Sequence, residues 1–344
     1  MTRWFEEVEN NPSNIVFSRV RLSRNWEEYK FPGRLEDREA GIMIGRIKTA
    51  LQGISDLDGR EYEYIDFEGL EELERLALRE RRIINRSFVE KTTPGGIILS
   101  EDESISLMLN GDDHIRIQIL APGLHVKECY DKADCLDDFI NETISYAYNS
   151  KYGYLTSYPT NVGTGMKASI VVHLPSLSLG RRFQDLLEDM SRFGTTVRGL
   201  YGRSSENAGD LYEVFNQKTL GVNEHEILEL VTNAASQLSE QENQVRQKAL
   251  EKHRLIREDE VYKSYGVLKY ARRLAMKDAM TFLSHLMTGI ADGLIVTKEP
   301  CSIYRLMMDI QPANLQQSSK QPLDKEELES ARAGYLRTHL PELK

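Results

Sequence analysis

The chain has 344 residues, of which 40% are hydrophobic and 28% charged, an ordinary composition for a globular protein with a sizeable core. Its 44 basic and 54 acidic side chains give a net charge of −10, which argues against a protein that coats nucleic acid through bulk electrostatics. There is no apolar run of membrane-spanning length and no signal-peptide pattern. Three cysteines without CxxC spacing predict neither a disulfide framework nor a zinc site. We therefore expect a cytoplasmic protein with no nucleic-acid or membrane partner and no structural metal.

The first two-thirds of the chain alternates helical and extended patterns. Residues 35–56 and 67–86 carry Leu, Ile, Glu and Arg at helical spacing. From residue 95, short apolar segments separated by polar turns predict consecutive antiparallel strands: GGIILS, ISLMLN and HIRIQIL. Further strands are predicted at 168–174, 195–201 and 210–216, with a polar, glycine-bearing loop over 202–210.

The remaining third is helical. Asn223, followed three residues later by Glu226, predicts a helix N-cap. Helical patterns continue over 257–295 and 324–338, whereas QPANLQQSSKQP has the composition of a linker. We predict an α+β domain over 1–245 and an all-helical domain over 246–344.

The segment NGDDHIRIQIL, residues 110–120, has a polar and an apolar face. Strand alternation directs Ile115, Ile117 and Ile119 into a core and places Asp112, His114, Arg116 and Gln118 on the opposite face. Taken alone, such a face is more typical of a solvated surface than of a polar site.

Three other segments carry groups that suit phosphate. In FSRVRLSR, Arg19 and Arg21 project to one side ~7 Å apart, and planar guanidinium groups match phosphate oxygens, although a lone RVR is more often an ion-paired surface strand. PTNVGTGMKAS places a glycine turn beside Lys167 but lacks P-loop spacing. In VRGLYGRSSE, Arg198 ends a strand where the polar loop begins.

The order of these segments resembles that of the phosphagen kinases, which transfer phosphate between ATP and a guanidinium group. RVR is followed by NxxDHxR, then by PTNxGTG with a basic residue and AS, then by RGxxG. The resemblance covers essentially the whole chain, and the C-terminal part is similar to that of the bacterial protein-arginine kinases. It implies a phosphagen-kinase-like α+β catalytic domain, with an antiparallel sheet flanked by helices, and a C-terminal all-helical domain.

The resemblance implies a binding site for ATP or ADP with Mg²⁺. Lys167 stands where the family usually has arginine, so it keeps the charge but loses the planar fork. The positions implied for cofactor binding are Ser18, Arg19, Arg21, Arg116, Lys167, Ala168, Ser169, Arg198 and Arg203.

The positions implied for the guanidinium acceptor are altered. Asp112 replaces a catalytic glutamate, and Arg203 stands where a second glutamate is usual, which leaves Asp112 and Glu206 as the candidate catalytic carboxylates. Tyr158 replaces a family cysteine, and Ser87 replaces a phosphate-proximal histidine. The phosphoarginine-sensing motif RDxxRA reads LESARA at 328–333.

Three interpretations remain open: an active protein-arginine kinase that uses Glu206, a nucleotide-binding pseudokinase with a regulatory role, and a structural protein with neither activity. Retention on the phosphate side favours the second over the third. The resemblance further implies protein arginine side chains or phosphoarginine proteins as partners, a zinc-finger activator, Clp protease machinery and a homodimer.

Overall fold

The computed structural model describes residues 2–8, 13–202, 207–319 and 321–344. The chain forms two compact units that alternate along the sequence. The first comprises Met1–Trp4, Phe17–Ile170 and Phe215–Thr232, and the second comprises Phe5–Val16, Val171–Val214 and Asn233–Lys344. The domain boundary predicted at residue 245 lies inside the second unit and stays a prediction.

Within the described residues, eight strands form one sheet in the order β2-β3-β4-β5-β1-β8-β10-β9, and β6 and β7 form a separate pair. Neighbours β2/β3, β3/β4, β4/β5 and β5/β1 are antiparallel. The strands are β1 Ile15–Arg24, β2 Tyr62–Asp66, β3 Gly96–Ser100, β4 Ile105–Leu109, β5 Ile115–Pro122, β6 Tyr148–Asn149, β7 Gly153–Tyr154, β8 Met166–His173, β9 Thr195–Gly199 and β10 Leu211–Asn216.

The α-helices are α1 Asp37–Ala50, α2 Ser55–Asp58, α3 Glu72–Glu80, α4 Arg86–Val89, α5 Val126–Asn141, α6 Phe183–Arg192, α7 Glu224–Tyr270, α8 Met276–Ala291, α9 Ile303–Asp309, α10 Pro312–Gln317 and α11 Lys325–His339. Helices α1 to α6 occur between the strands in the sequence, and α7 to α11 follow the last strand, β10. The predicted α+β class and the consecutive antiparallel strands after residue 95 are confirmed.

Two details of the helical region differ in outcome. The predicted cap is present, because the Glu226 amide donates to Asn223 Oδ1 at 2.8 Å and the Asn223 amide donates to Glu226 Oε2 at 2.9 Å. The linker prediction for QPANLQQSSKQP was wrong over Pro312–Gln317, which form α10. Ala313 and Leu315 are buried there, so tertiary packing supports a short helix that the polar composition of the segment does not predict.

The apolar face of β5 is buried as predicted, with Ile115, Ile117 and Ile119 at most 1% exposed. A satellite cluster packs α4 against β3 and β4, and its centre is the edge-to-face pair Phe67–Phe88 with ring centroids 4.3 Å apart. This cluster fixes the short helix that carries Ser87.

The edge strand β2 is fitted to its neighbour β3 through Tyr64 and Gly96. A Cβ on Gly96 would lie 2.6 Å from the Tyr64 hydroxyl, so the phenol ring occupies the space that a side chain would need. Lys48 Nζ lies 3.5 Å from the centroid of the Tyr64 ring, in a cation–π contact.

Buried polar groups organise the second unit. Ser284 Oγ donates to Asp210 Oδ2 at 2.7 Å, and His173 Nε2 lies 2.8 Å from the same hydroxyl oxygen. Because the serine proton is used on Asp210, His173 Nε2 is the donor in the second bond. Glu242 accepts from the backbone amides of Ser176 and Leu177.

Over the described part of the chain, no helix combines the length and apolarity that crossing a membrane requires.

Candidate functional site

The pairing of β1 with β5 places three arginines on one face of the sheet. Arg21 pairs with Gln118, and Arg116 pairs with Ser23. Paired residues of antiparallel strands project to the same side, and so do residues two apart in one strand. Arg19, Arg21 and Arg116 therefore share a face, which we call the arginine face.

Strand β8 adds to the arginine face. Arg19, only 7% exposed, donates from Nε to Ser169 Oγ at 3.3 Å, so Ser169 lies on this face and Lys167, two residues earlier, does as well. Lys167 Nζ donates to the carbonyl oxygens of Asn216 at 2.9 Å and Gln217 at 3.3 Å. The ammonium group is thereby held beside β10.

Ser18 and Ala168 alternate to the opposite face. Ser18 Oγ donates to the Gly123 carbonyl at 2.7 Å and accepts from the His125 amide at 3.0 Å. Ala168 is fully buried, and its amide donates to Asn216 Oδ1. These two side chains support the strands, and a role in nucleotide binding stays a prediction for their backbone groups.

The turn before β8 requires glycine at position 163. Gly163 has φ of +114°, and a Cβ there would collide with the Thr219 carbonyl oxygen. That oxygen accepts from the Thr164 amide at 2.9 Å, which ties the turn to residue 219. The turn thus fixes where β8 begins and where Lys167 lies.

Asp112, the predicted catalytic carboxylate, is held by two polar neighbours. Its Oδ1 accepts from Ser87 Oγ at 2.8 Å, and its Oδ2 accepts from Asn85 Nδ2 at 2.7 Å. Asn85 Oδ1 also accepts from the Phe88 amide and so caps α4. Sequence reasoning missed Asn85, although an Asn before a short helix is a recognisable cap signal.

Lys91 adds a positive charge near Asp112. Burial lowers the pKa of the Lys91 ammonium, and the carboxylates of Asp37 and Asp112 oppose that shift. The Asp112 carboxylate is therefore bound by hydrogen bonds and lies within electrostatic range of a cation.

His114 and Asp113 have structural roles. His114 Nδ1 accepts from the Trp26 amide at 3.0 Å, so the ring proton is on Nε2, which donates to the Lys30 carbonyl at 2.9 Å. Burial lowers the His114 pKa. Asp113 Oδ1 accepts from Asn25 Nδ2 and the Ser157 amide, each at 2.7 Å. The solvated-surface interpretation of this face was wrong, because His114 is 0% and Gln118 4% exposed.

In the second unit, Arg198 on β9 donates from Nε and Nη2 to Glu213 Oε2, at 3.0 and 2.7 Å. The Glu213 side chain is 2% exposed and that of Arg198 is 59% exposed, so a buried carboxylate orients an exposed guanidinium group. Tyr158 is 52% exposed. Arg203 and Glu206 lie outside the described residues.

Two family models match successive parts of the chain. Residues 43–245 match the ATP:guanido phosphotransferase C-terminal catalytic domain, and residues 254–344 match the Protein-arginine kinase McsB C-terminal domain. The chain belongs to the protein-arginine kinase family. Inside α7, His253 departs from helical geometry, with φ of −138° and ψ of 34°, and it lies between the two matched ranges.

Curated relatives span nearly the whole chain. A protein-arginine kinase of Caldanaerobacter subterraneus subsp. tengcongensis is 37% identical over 326 residues, covering 95% of this chain and 96% of the relative. That of Bacillus subtilis (strain 168) is 36% identical over 340 residues, covering 99% and 93%. The family resemblance predicted from the sequence is confirmed.

Solved structures show the same fold at lower identity. Lombricine kinase matches with a TM-score of 0.59 at 22% identity, covering 73% of this chain and 72% of that chain. The duplicated taurocyamine kinase of Schistosoma mansoni with transition state analog components matches with a TM-score of 0.60 at 24% identity, covering 68% and 34%. These matches establish the fold.

In the C-terminal helix α11, the guanidinium group of Arg332 donates hydrogen bonds to backbone carbonyl oxygens. It is 3% exposed and donates from Nε to the Ile310 carbonyl at 3.2 Å and from Nη1 to the Leu274 carbonyl at 2.9 Å. Leu328 is half-buried. Arg332 therefore connects α11 to the backbone just before α8, at Leu274, and just after α9, at Ile310.

Proposed function

We propose that this protein binds ATP or ADP on its arginine face and that it is a regulatory member of the protein-arginine kinase family with weak arginine phosphorylation. Weak arginine phosphorylation is supported by the hydrogen bonds that both Asp112 carboxylate oxygens accept, from Ser87 at 2.8 Å and from Asn85 at 2.7 Å. Family membership and the arginine face support the binding of ATP or ADP.

Nucleotide binding rests on the donors that share the arginine face. A hydrogen bond from a guanidinium group to a phosphate oxygen contributes roughly 1.5–3 kcal/mol. Arg19 is already buried and hydrogen-bonded to Ser169, so little side-chain freedom is lost when an anion binds. Arg198 and Arg203 remain sequence-based candidates for the same phosphates.

The residues present fit a nucleotide whose phosphates carry the magnesium ion. Across the described ranges, no group of three or more His, Cys, Asp or Glu side chains is arranged to hold a metal. Mg²⁺ bound to the phosphates would neutralise the charge that develops in phosphoryl transfer. The protein's own part is to orient the phosphate oxygens with Arg19, Arg21 and Arg116.

Weak transfer to arginine follows from the acceptor side. A catalytic carboxylate must be free to orient the acceptor guanidinium group, and Asp112 is one methylene shorter than the family glutamate. Its oxygens are already accepting hydrogen bonds, which lowers their capacity to accept two more from a guanidinium group. Arg203 adds a positive charge where the family has a second carboxylate.

The remaining assignments are inferred from the family. We infer a cytoplasmic homodimer that acts with a zinc-finger activator and Clp protease machinery on protein arginine or phosphoarginine. An active kinase that uses Glu206 as its carboxylate is the alternative outcome of the experiment below.

Two measurements on the full chain test the proposal. Calorimetry with Mg-ADP should show binding by the wild type and a loss of about 10- to 100-fold in Arg116→Ala, whereas Arg86→Ala, which removes an exposed pair with Glu90, should bind normally. Mass spectrometry should detect little phosphoarginine on an unfolded substrate protein. Absence of nucleotide binding by a folded sample would refute the proposed nucleotide site. Turnover equal to that of the Bacillus subtilis kinase would refute weak arginine phosphorylation.

A further inference from the structure

We propose that Ser87 is a phosphoryl acceptor within this chain, with Asp112 as the base that accepts its hydroxyl proton. The proposal rests on the nucleotide binding proposed above and assigns the same carboxylate a different acceptor. It concerns an oxygen nucleophile, whereas the family's substrate group is a guanidinium nitrogen.

The hydroxyl and the carboxylate are in place for such a transfer. Ser87 Oγ lies 2.8 Å from Asp112 Oδ1, within the range that a general base needs, and Ser87 is exposed. Asn85 Nδ2 binds the other oxygen, so Oδ1 stays directed at the serine. The Phe67–Phe88 contact holds the helix on which Ser87 lies.

The chain segment that leads to Ser87 crosses the arginine face. Gln118, which pairs with Arg21, donates from Nε2 to the Arg82 carbonyl at 2.8 Å. Ser106, which pairs with Gln118 on β4, donates to the Ile83 carbonyl at 3.4 Å. Residues 82–87 therefore run from Gln118 to Asp112, and Arg116 lies between these two positions along the chain. A phosphate held by Arg116 would be on the side of the sheet where Ser87 is exposed.

The step balances with a nucleoside triphosphate and its divalent cation as co-reactants. A bond forms between Ser87 Oγ and the γ-phosphorus while the bond from that phosphorus to the β–γ bridging oxygen breaks. The hydroxyl proton passes to Asp112 Oδ1, and the nucleoside diphosphate leaves with the bond's electron pair. An aspartate accepts the proton of a substrate hydroxyl in the same way in protein kinases that act on serine.

Other serines that bind aspartates provide internal comparisons. Ser104 donates to Asp102, and Ser284 donates to Asp210. Both are buried, at 6% and 0% exposure, so neither hydroxyl is accessible to a nucleotide. A transfer that depends on the geometry around Asp112 should mark Ser87 and leave Ser104 and Ser284 unmodified.

The experiment incubates the full chain with Mg-ATP and maps phosphate by mass spectrometry after acid treatment, which hydrolyses the P–N bond of phosphoarginine and spares the P–O bond of phosphoserine. We expect acid-stable phosphate on Ser87, at a rate independent of protein concentration. Asp112→Asn should slow it about 100-fold or more, and Arg86→Ala, next to the acceptor but outside the polar network, should leave the rate unchanged.

Mg-ADP calorimetry on the same samples separates the two ideas. Nucleotide binding without phosphate on Ser87 would overturn this inference and leave the proposed function standing. No nucleotide binding by a folded chain would overturn both. Undiminished Ser87 phosphorylation in Asp112→Asn would refute the assignment of Asp112 as the base.

Discussion

Arg24 and Asp137 form an ion pair inside the first unit, with Arg24 Nη2 2.7 Å from Asp137 Oδ2 and side chains only 3% and 7% exposed. The guanidinium carbon of Arg24 also lies 3.6 Å from the centroid of the Tyr154 ring. Burial raises the pKa of Asp137, and the charge of Arg24 partly opposes this shift. The pair joins the end of β1 to α5, so it supports the strand that carries Arg19 and Arg21.

Removing Arg24 alone should be costly, because it leaves a buried carboxylate uncompensated. We expect Arg24→Met to lower the free energy of unfolding by about 3–5 kcal/mol, measured by urea denaturation. Lys127→Met, which breaks the exposed pair with Asp131, should change it by less than about 1 kcal/mol. The double variant Arg24→Met/Asp137→Leu should be more stable than Arg24→Met, and the opposite order would contradict the argument.

His173 should make the protein acid-sensitive. Burial, with the nearby charges of Arg246 and His285, lowers the His173 pKa to about 3. Between that value and the unfolded pKa near 6.5, the unfolded chain binds a proton that the folded chain does not, so stability falls as pH falls through this window. One such group contributes a slope of up to about 1.4 kcal/mol per pH unit. His173→Gln should reduce the measured slope, and an unchanged slope would show that other groups cause it.

Two glycine substitutions should have opposite signs. Gly163→Ala should destabilise the fold by about 1–3 kcal/mol or more, because of its positive φ and the collision with Thr219. Gly41→Ala, inside α1 with no atom within 4 Å of the new methyl group, should stabilise it by roughly 0.5–1 kcal/mol. Thermal unfolding measures both changes. Equal shifts would contradict the turn geometry.

The cysteines should differ in alkylation rate. Cys129 is buried, and burial raises its pKa to about 12, so its thiolate fraction at pH 8 is about 10⁻⁴. Cys135 is exposed. Iodoacetamide under native conditions should modify Cys135 first and Cys129 only after unfolding, as read by peptide mass spectrometry. Rapid native modification of Cys129 would mean that α5 opens locally.

Restoring carboxylates on the acceptor side should restore some arginine transfer. The double variant Asp112→Glu/Arg203→Glu should raise phosphoarginine formation by about 100-fold, since a positioned base is worth about 10²–10⁴ in rate. Each single variant should gain less, and urea denaturation serves as the control for folding, because Arg203 is itself a candidate phosphate ligand. No gain in the double variant, with nucleotide binding intact, would place the defect elsewhere.

The strands that follow residue 95 were predicted because each is a short apolar segment bounded by polar turns. The pairing of β1 with β5, which puts Arg21 opposite Gln118, was not predicted, because alternation within one strand does not identify the strand that lies beside it. Strand β2 was missed because YEYID lies between helical patterns and has few apolar residues. Helix α5 was missed because its acidic residues obscured the buried positions Val126, Cys129, Ala133 and Leu136.

The candidate site was predictable only in part, because motif order identifies residues without their partners. Strand alternation predicted that Arg19 and Arg21 project to one side, and the family resemblance assigned Arg116 to the same site. Nothing in the sequence showed that Asn85 and Ser87 bind both oxygens of Asp112. Likewise, His114 lies in a motif rich in polar residues, and its burial depends on Trp26 and Lys30, which are distant in sequence. Long-range hydrogen bonds of this kind do not follow from local patterns.

Because the Tyr64 ring lies over Gly96, the residues allowed at position 96 depend on the residue at position 64. Any side chain at 96 must displace the ring, so relatives with a larger residue there should carry a small or differently directed residue at 64. The pair also disfavours a one-residue slip of β2 against β3, because a slip would turn Tyr64 to the other face. Covariation of positions 64 and 96 in an alignment of relatives would therefore record how the edge of this sheet keeps its register.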